Sequence, residues 1–169
     1  MPYLYKCRFT NAELFSDAFP TDEKSFGGYI WTVQSEVAKK KAEKYDIGDC
    51  DEVEDHDQDV NNVVYSTNLQ PANFNKKDFM PWIKGYMAKI IEEVKKDEKV
   101  DTDAKVAEFK KYAMEMVKKV TDNFDNCDCY VNEECDYDGA VAIGLWTDRA
   151  KDKGPVFFFF KHGLTKEKI

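Results

Sequence analysis

The sequence predicts an α+β fold in which a mainly antiparallel sheet is interrupted by one α-helical hairpin. Two segments between residues 75 and 124 carry apolar residues at three- and four-residue spacing, which is typical of amphipathic helices. The segments on either side are short, rich in β-branched and aromatic residues, and separated by turn residues. With 169 residues, of which 43% are hydrophobic, the chain is long enough for a single domain with its own core.

Five segments have the composition of strands, namely 3–7, 29–33, 63–65, 140–146 and 156–160. Turns between them are predicted at Gly27-Gly28, Asp138-Gly139 and Gly154-Pro155. The last strand contains four consecutive phenylalanines, Phe157–Phe160, which need partners on both of its faces. We therefore expect one face to meet the sheet core and the other to meet the hairpin.

The hairpin is predicted over about 75–124, with a short charged link at 95–100. Asn75 or Asp78 is suited to cap the first helix, and Asp78 is preferred because it places Pro81 in the first turn. Asp101 or Thr102 is the predicted cap of the second helix.

The net charge of −8 is distributed unevenly. Residues 46–59 hold eight acids and residues 122–138 hold seven, with no Lys or Arg in either block, so the rest of the chain carries +7. This balance disfavours direct nucleic-acid binding but leaves room for a basic surface that meets an acidic partner. We expect a mobile acidic loop at about 37–62 and a single domain whose β core comprises 1–36, 63–72 and 126–169.

The usual enzyme signatures are missing from the sequence: it has no Gly-rich phosphate loop, nucleophile elbow or paired-histidine metal motif. No apolar run reaches the roughly 20 residues that span a bilayer, and no signal peptide is recognisable. Five cysteines without an export signal favour free thiols in a reducing compartment. We therefore expect a cytoplasmic protein that does not act at a membrane.

The cysteine spacing does not fit a structural zinc site. Cys127, Cys129 and Cys135, with Cys50, lack the two knuckles of paired cysteines that such sites use. The acids around Cys127 and Cys129 also disfavour the thiolate that a reactive cysteine needs. Inert, reduced cysteines are the better interpretation.

The acidic blocks suggest calcium, because hard cations prefer carboxylate oxygens. Asp55, Asp57 and Asp59 match the first ligand positions of an EF-hand loop, but Val60 replaces the required Gly and Ser66 replaces the final Glu. The charges alone leave two alternatives, a weak irregular site and a solvated loop that binds nothing specifically. Near the N-terminus, Thr10 and Glu13 have the spacing of a capping box, which would explain Glu13 as part of a short helical turn.

Six stretches spread along nearly the whole sequence share the pattern of one known family: 12–20, 28–31, 46–48, the Lys-rich hairpin, 124–146 and 157–164. Through these stretches the chain resembles the translationally controlled tumour protein family. The first signature departs from the family pattern after Gly48, and Cys129 and Asn132 replace expected residues. Ile169 stands where members commonly end in Cys, so a disulfide-linked dimer is not expected and we predict a monomer.

The resemblance implies a β-tent core, similar to that of a guanine-nucleotide-exchange chaperone and of methionine sulfoxide reductases. It also implies a multifunctional cytosolic protein, present in the nucleus as well, that is linked to growth control. Implied partners are small Ras-like GTPases, tubulin and microtubules, and anti-apoptotic proteins. The acidic surroundings of the cysteines do not support reductase activity.

Carried over by position, the family's GTPase contact falls on Glu13. Its weak calcium site falls on Cys50, Asp128 and Asp138, where Asp49 and Asp51 are better oxygen donors than Cys50. Eight hairpin lysines lie mainly off the apolar stripes and are expected to form either an exposed basic binding surface or simply a solvated face: Lys84, Lys95, Lys96, Lys105, Lys110, Lys111, Lys118 and Lys119. Tubulin, with its acidic tails, is the partner that the resemblance implies for such a surface.

The leading hypothesis is a non-enzymatic interaction protein that binds calcium weakly and needs no other cofactor. The first alternative is a nucleotide-exchange regulator of a small Ras-like GTPase. The second alternative is a simple calcium buffer built from the acidic loop.

Overall fold

The computed structural model describes residues 3–40, 58–67, 69–72, 75–132, 139–147 and 152–168. The described elements follow one another in this order: β1 (Tyr3–Cys7), β2 (Glu13–Ser16), β3 (Thr21–Phe26), β4 (Ile30–Gln34), β5 (Val37–Lys40), β6 (Gln58–Asn61), α1 (Asn62–Ser66), β7 (Gln70–Pro71), α2 (Lys76–Asp97), α3 (Thr102–Asp122), β8 (Cys127–Val131), β9 (Ala142–Leu145), β10 (Val156–Phe160) and β11 (Leu164–Lys168). Short 3-10 turns at Phe124–Asn126 and Lys161–Gly163 precede β8 and β11. The predicted α+β class is confirmed.

All pairings between the described strands are antiparallel. A six-stranded sheet has the order β3-β4-β10-β9-β8-β7, and a three-stranded sheet has the order β11-β1-β2. β1 pairs with β11 from Tyr3 opposite Lys168 to Cys7 opposite Leu164, so strands from the two ends of the chain lie side by side. β5 and β6 form a separate two-stranded ribbon. Four of the five predicted strand segments therefore correspond to β1, β4, β9 and β10.

The four phenylalanines of β10 connect the layers of the core, as their alternation predicts. Phe159 stacks on Phe15 of the three-stranded sheet, with ring centroids 4.8 Å apart. Phe160 points the opposite way and contacts Tyr86 of α2 and Phe109 of α3, at 5.5 and 5.7 Å between centroids. Because this strand touches both the second sheet and the hairpin, it fixes their relative positions.

The predicted hairpin is present as α2 and α3, each with one buried stripe. The preference for Asp78 as the first cap is wrong. The Asn75 side chain caps α2 instead, accepting a hydrogen bond of 2.8 Å from the Asp78 backbone N–H. Pro81 consequently lies inside the helix rather than in its first turn. At α3, Asp101 is the N-cap residue in the left-handed region at φ 51°, but its side chain makes no capping bond.

The predicted strand at 63–65 is also wrong, because these residues form helix α1. Asn61 caps this helix by accepting hydrogen bonds from the backbone N–H groups of Val63 at 3.0 Å and Val64 at 3.2 Å. Val63 is fully buried, whereas Tyr65 is 60% exposed. One buried anchor and a good cap outweigh the weak strand preference of two valines.

The boundaries of the predicted mobile acidic loop, about 37–62, need correction. Its two ends are the paired strands β5 and β6, with Val37 opposite Asn61 and Lys40 opposite Gln58. The central residues 41–57 lie outside the described residues.

The capping box predicted at Thr10 and Glu13 is not formed. Thr10 Oγ1 accepts from the Ala12 N–H at 3.4 Å, and Glu13 begins strand β2. Asn11, at φ 62°, closes the turn between β1 and β2, and its N–H donates to the Cys7 carbonyl at 2.8 Å. Pairing with β1 buries Leu14 and Phe15, which outweighs the local helical signal.

Candidate functional site

Glu13 lies on the outer face of the three-stranded sheet, at the start of its edge strand β2. Leu14 and Phe15, the next two residues, are 1% and 0% exposed and fix the strand to the core. Glu13 itself is exposed, and its carboxylate makes no hydrogen bond or ion pair with any residue that the structure describes. A strand anchored by buried neighbours therefore presents an available negative charge.

Lys6 of β1 stands directly opposite Glu13 in the strand register, yet it bonds elsewhere. Its Nζ lies 2.5 Å from Oε2 of Glu167 on β11. The hydrogen bond to Glu167 raises the pKa of Lys6, and the charges of Glu167 and Glu13 add to this effect although burial opposes it. We call the three side chains Glu13, Lys6 and Glu167 the Glu13 patch.

A second group of charged side chains joins the sheet core to the tip of the helical hairpin. Arg8 follows β1 and holds the Asp97 carboxylate with two hydrogen bonds, of 2.6 and 3.0 Å. Its Nε lies 3.1 Å from Oε2 of Glu93, and its Nη1 donates to the His162 carbonyl at 3.2 Å. The hydrogen bond from Arg8 holds the pKa of Asp97 below its ordinary value.

His162 completes this group from the turn before β11. Its ring is 4% exposed, its Nε2 lies 3.3 Å from Oε1 of Glu98, and it stacks on Tyr29 at 5.9 Å between centroids. Its Nδ1 has no hydrogen-bond partner among the described residues. Burial lowers the pKa of His162, although the hydrogen bond to Glu98 acts in the opposite direction. We call the residues Arg8, Glu93, Asp97, Glu98 and His162 the hairpin junction.

The structure divides the eight predicted hairpin lysines into two sets. Three are engaged with acids of the hairpin: Lys95 with Glu92 at 3.7 Å, Lys96 with Glu93 at 3.4 Å and Lys105 with Glu98 at 2.9 Å. The others are exposed and form no ion pair with the residues that the structure describes: Lys84, Lys110, Lys111, Lys118 and Lys119. Lys111 lies over the ring of Tyr112, at 5.6 Å from its centroid.

Only one of the predicted calcium ligands falls in the described part of the chain. Asp128, on β8, accepts a hydrogen bond of 2.7 Å from Nε1 of Trp146. Asp49, Cys50, Asp51 and Asp138 lie outside the described residues. The described residues contain no group of three His, Cys, Asp or Glu side chains able to hold a metal ion.

The described cysteines have no geometry suited to nucleophilic chemistry. Cys129 is buried, and burial raises the pKa of its thiol to about 12. Cys7 is 1% exposed, and its Sγ accepts from the Ala140 N–H at 3.3 Å. Cys127 Sγ lies 3.4 Å from the carbonyl of Asn123 at the end of the hairpin. These contacts favour structural roles.

The hairpin junction was not anticipated from the sequence. Its partners are far apart in the chain, with a separation of 89 positions from Arg8 to Asp97 and of 64 positions from Glu98 to His162. Local sequence carried no signal for this group, because it depends on contacts between distant segments. Among the described residues, no helix has the length and apolar character needed to cross a membrane.

The chain has a β core with an inserted helical hairpin, and its described residues form no catalytic cluster. These features define a fold class that known proteins share. The family model of the translationally controlled tumour protein matches residues 3–165. The homolog from Candida glabrata is 36% identical over 173 residues, covering 98% of this chain and 99% of the relative. The homolog from Saccharomyces cerevisiae is 34% identical over 173 residues, with the same coverage.

Solved structures give the same result. The translationally controlled tumor-associated protein p23fyp from Schizosaccharomyces pombe superposes with a TM-score of 0.75 at 31% identity, covering 99% of both chains. The family member from Caenorhabditis elegans, at 24% identity and a TM-score of 0.65, shares the fold. The chain belongs to the translationally controlled tumour protein family.

Proposed function

We propose that this chain is a non-enzymatic interaction protein that binds a small Ras-like GTPase through the sheet face that carries Glu13. The observation behind this proposal is the exposed Glu13 carboxylate, which has no partner among the described residues and stands on a strand fixed by buried neighbours. A carboxylate is suited to pair with a basic residue of the GTPase or to approach its Mg²⁺-bearing phosphate site. Acceleration of nucleotide exchange is the stronger form of the same hypothesis.

The test removes the charge of the Glu13 side chain and keeps its size and shape. Glu13→Gln should weaken binding of a purified small GTPase by roughly tenfold, since one charge-assisted contact is lost. Glu23→Gln, an exposed acid on strand β3 of the other sheet, is the matched control and should change nothing. Unchanged binding in Glu13→Gln would refute the proposal.

The two forms of the hypothesis are separated by a second measurement. Release of a fluorescent nucleotide from the GTPase should be accelerated by the wild-type chain, and less by Glu13→Gln, if the contact drives exchange. Binding without accelerated release would identify an adaptor that does not act as an exchange regulator.

Binding of microtubules is a second candidate function, favoured by the exposed lysines of the hairpin. Lys110 and Lys118 form no ion pair with the described residues. Both are exposed and lie outside the buried stripe of α3. Their charges fit acidic tubulin tails, and such binding must weaken with salt because exposed charges are screened beyond about 8 Å at physiological ionic strength. A Lys110→Glu and Lys118→Glu double variant should lose co-sedimentation, whereas Lys95→Glu, at a lysine already paired with Glu92, should lose less. Salt-insensitive co-sedimentation would exclude this mode.

Weak calcium binding is proposed from the two acidic blocks, with Asp49, Asp51, Asp128 and Asp138 as ligands. A cation would relieve the repulsion between the blocks, and without a regular loop the affinity should be no better than about 10⁻⁴–10⁻³ M. Calcium titration followed by NMR should then shift all four regions together. Shifts confined to 49–59, unaffected by Asp128→Asn with Asp138→Asn, would leave a solvated acidic loop.

Membership of the family supports the cellular part of the proposal, that the protein is cytoplasmic and nuclear and is linked to growth control and to anti-apoptotic partners. Capture of partners from cytosol on the immobilised full chain, with and without calcium, tests it. If a small GTPase is captured by the wild-type chain and not by Glu13→Gln, the result would support both the cellular and the structural parts of the proposal.

A further inference from the structure

Lys6 occupies the centre of the Glu13 patch, on the middle strand of the three-stranded sheet. Glu13 is its direct cross-strand neighbour on β2, and Thr165 is its direct neighbour on β11. Glu167 lies two residues further along β11, on the same face, and is the diagonal neighbour. Lys6 therefore has a carboxylate within reach on either side.

The structure shows Lys6 committed to one of these two acids. Its Nζ lies 2.5 Å from Glu167, while Glu13 keeps a carboxylate that no described residue pairs. The Lys6 side chain is 18% exposed and Glu167 is 57% exposed, so the bond lies at the solvent edge of the sheet. The patch carries two negative charges and one positive charge, and its unpaired charge is on Glu13.

From this arrangement we infer that Lys6 is a positioning residue which, by bonding Glu167, leaves Glu13 free to bind a cationic side chain of the partner. Glu167 thus acts on the site without touching the partner's cation. If Glu167 were removed, the ammonium group of Lys6 would turn to the directly opposite Glu13 and neutralise it. This inference rests on the proposed function for the identity of the partner, but the choice that Lys6 makes between two acids does not depend on it.

The test uses Glu167→Ala in the full chain, with Asp17→Ala as a control of equal charge. Asp17 is exposed and follows β2, so its removal alters the net charge near the patch without releasing Lys6. Glu167→Ala should weaken GTPase binding by up to about fivefold, the upper end of the range for one surface ion pair. Asp17→Ala should have a clearly smaller effect. Adding Lys6→Met to Glu167→Ala should restore wild-type binding, because no cation is left to cover Glu13.

A partner-independent measurement is the NMR resonance of the Glu13 carboxyl carbon at neutral pH. It should move in Glu167→Ala, stay in place in Asp17→Ala, and return in the double variant. An unmoved resonance in Glu167→Ala would overturn the inference whatever the GTPase does. Equal weakening by Glu167→Ala and Asp17→Ala, with no rescue by Lys6→Met, would also overturn it in favour of a net-charge effect. If the resonance behaves as expected but Glu13→Gln still binds the GTPase normally, the role of Lys6 stands and the proposed function fails.

Discussion

The Glu13 patch and the hairpin junction use the same chemistry, a cation between two carboxylates, in different surroundings. In the patch, Lys6 bonds Glu167 at the solvent edge and Glu13 remains unpaired among the described residues. In the junction, Arg8 bonds both Asp97 and Glu93, whose side chain is only 12% exposed, and also donates to a backbone carbonyl. The two cations are similarly exposed, at 18% for Lys6 and 28% for Arg8, but Glu167 is 57% exposed whereas Glu93 is largely buried. An ion pair with an exposed acid adds little stability, whereas removal of a guanidinium that serves several groups leaves them unsatisfied. The burial of the acids and the number of bonds therefore distinguish a surface suited to partners from contacts that hold two parts of the fold together.

The largest effect should come from the same substitution made at both places. Arg8→Met keeps the aliphatic stem but leaves Asp97 and the His162 carbonyl without this donor and Glu93 with only Lys96, so the free energy of unfolding should fall by about 2–3 kcal/mol. Lys6→Met should leave the free energy of unfolding nearly unchanged. Urea unfolding of both variants provides the comparison. Equal decreases in the free energy of unfolding would mean that the ion pairs of the two regions contribute equally to stability.

The second-largest effect on stability should come from the close packing around Gly163, next to the hairpin junction. A Cβ at Gly163 would lie 2.5 Å from Oη of Tyr86 and 2.8 Å from Cδ1 of Ile90, so Gly163→Ala should destabilise the fold by about 1–3 kcal/mol. Gly85→Ala, on the open face of α2 with no atom within 4 Å, is the matched control. It should stabilise by about 0.5–1 kcal/mol through helix propensity. Thermal unfolding distinguishes the two, and a gain at both positions would contradict the packing described.

The smallest effect is the pH dependence of the junction. Because burial lowers the pKa of His162 below 6.5, the unfolded chain takes up this proton at higher pH than the folded chain, and stability should fall as pH decreases below about 6.5. The hydrogen bonds from Arg8 and from Lys105 lower the pKa values of Asp97 and Glu98, so their stabilisation is present above about 4.5 and is lost below it.

The variant His162→Phe, which keeps a ring beside Tyr29, separates these two ranges of pH. Its melting temperature should be flat between about pH 7 and 5.5 and should still fall below about pH 4.5. A wild-type slope retained by His162→Phe between pH 7 and 5.5 would show that another group titrates there.

Much of the fold could be predicted from local pattern. The two helices of the hairpin were found because the periodicity of their apolar residues reflects which face is buried. The strands at 3–7 and 156–160 were found because they are rich in aromatic and β-branched residues. The wrong predictions lie where another interaction outweighed the local secondary-structure preference. Thr10 and Glu13 resemble a helix start, but pairing with β1 makes a strand. Val63 and Val64 resemble a strand, but the Asn61 cap makes a helix.

The features of the candidate site also fall into two groups, those that the sequence determines and those that depend on tertiary contacts. The sequence by itself determined the family and the lysines of the hairpin, because each depends on residue type and neighbouring residues. It singled out Glu13 only through the resemblance to the family, whereas the strand that exposes Glu13 was decided by pairing with β1. It could not determine that Lys6 bonds Glu167 rather than Glu13, since that choice depends on the register of β1 against β11. Nor could it bring Arg8 to Asp97 or His162 to Glu98, which are contacts between residues distant in the chain. Electrostatic strength depends on distance and burial, and both are set by the tertiary structure rather than by sequence spacing.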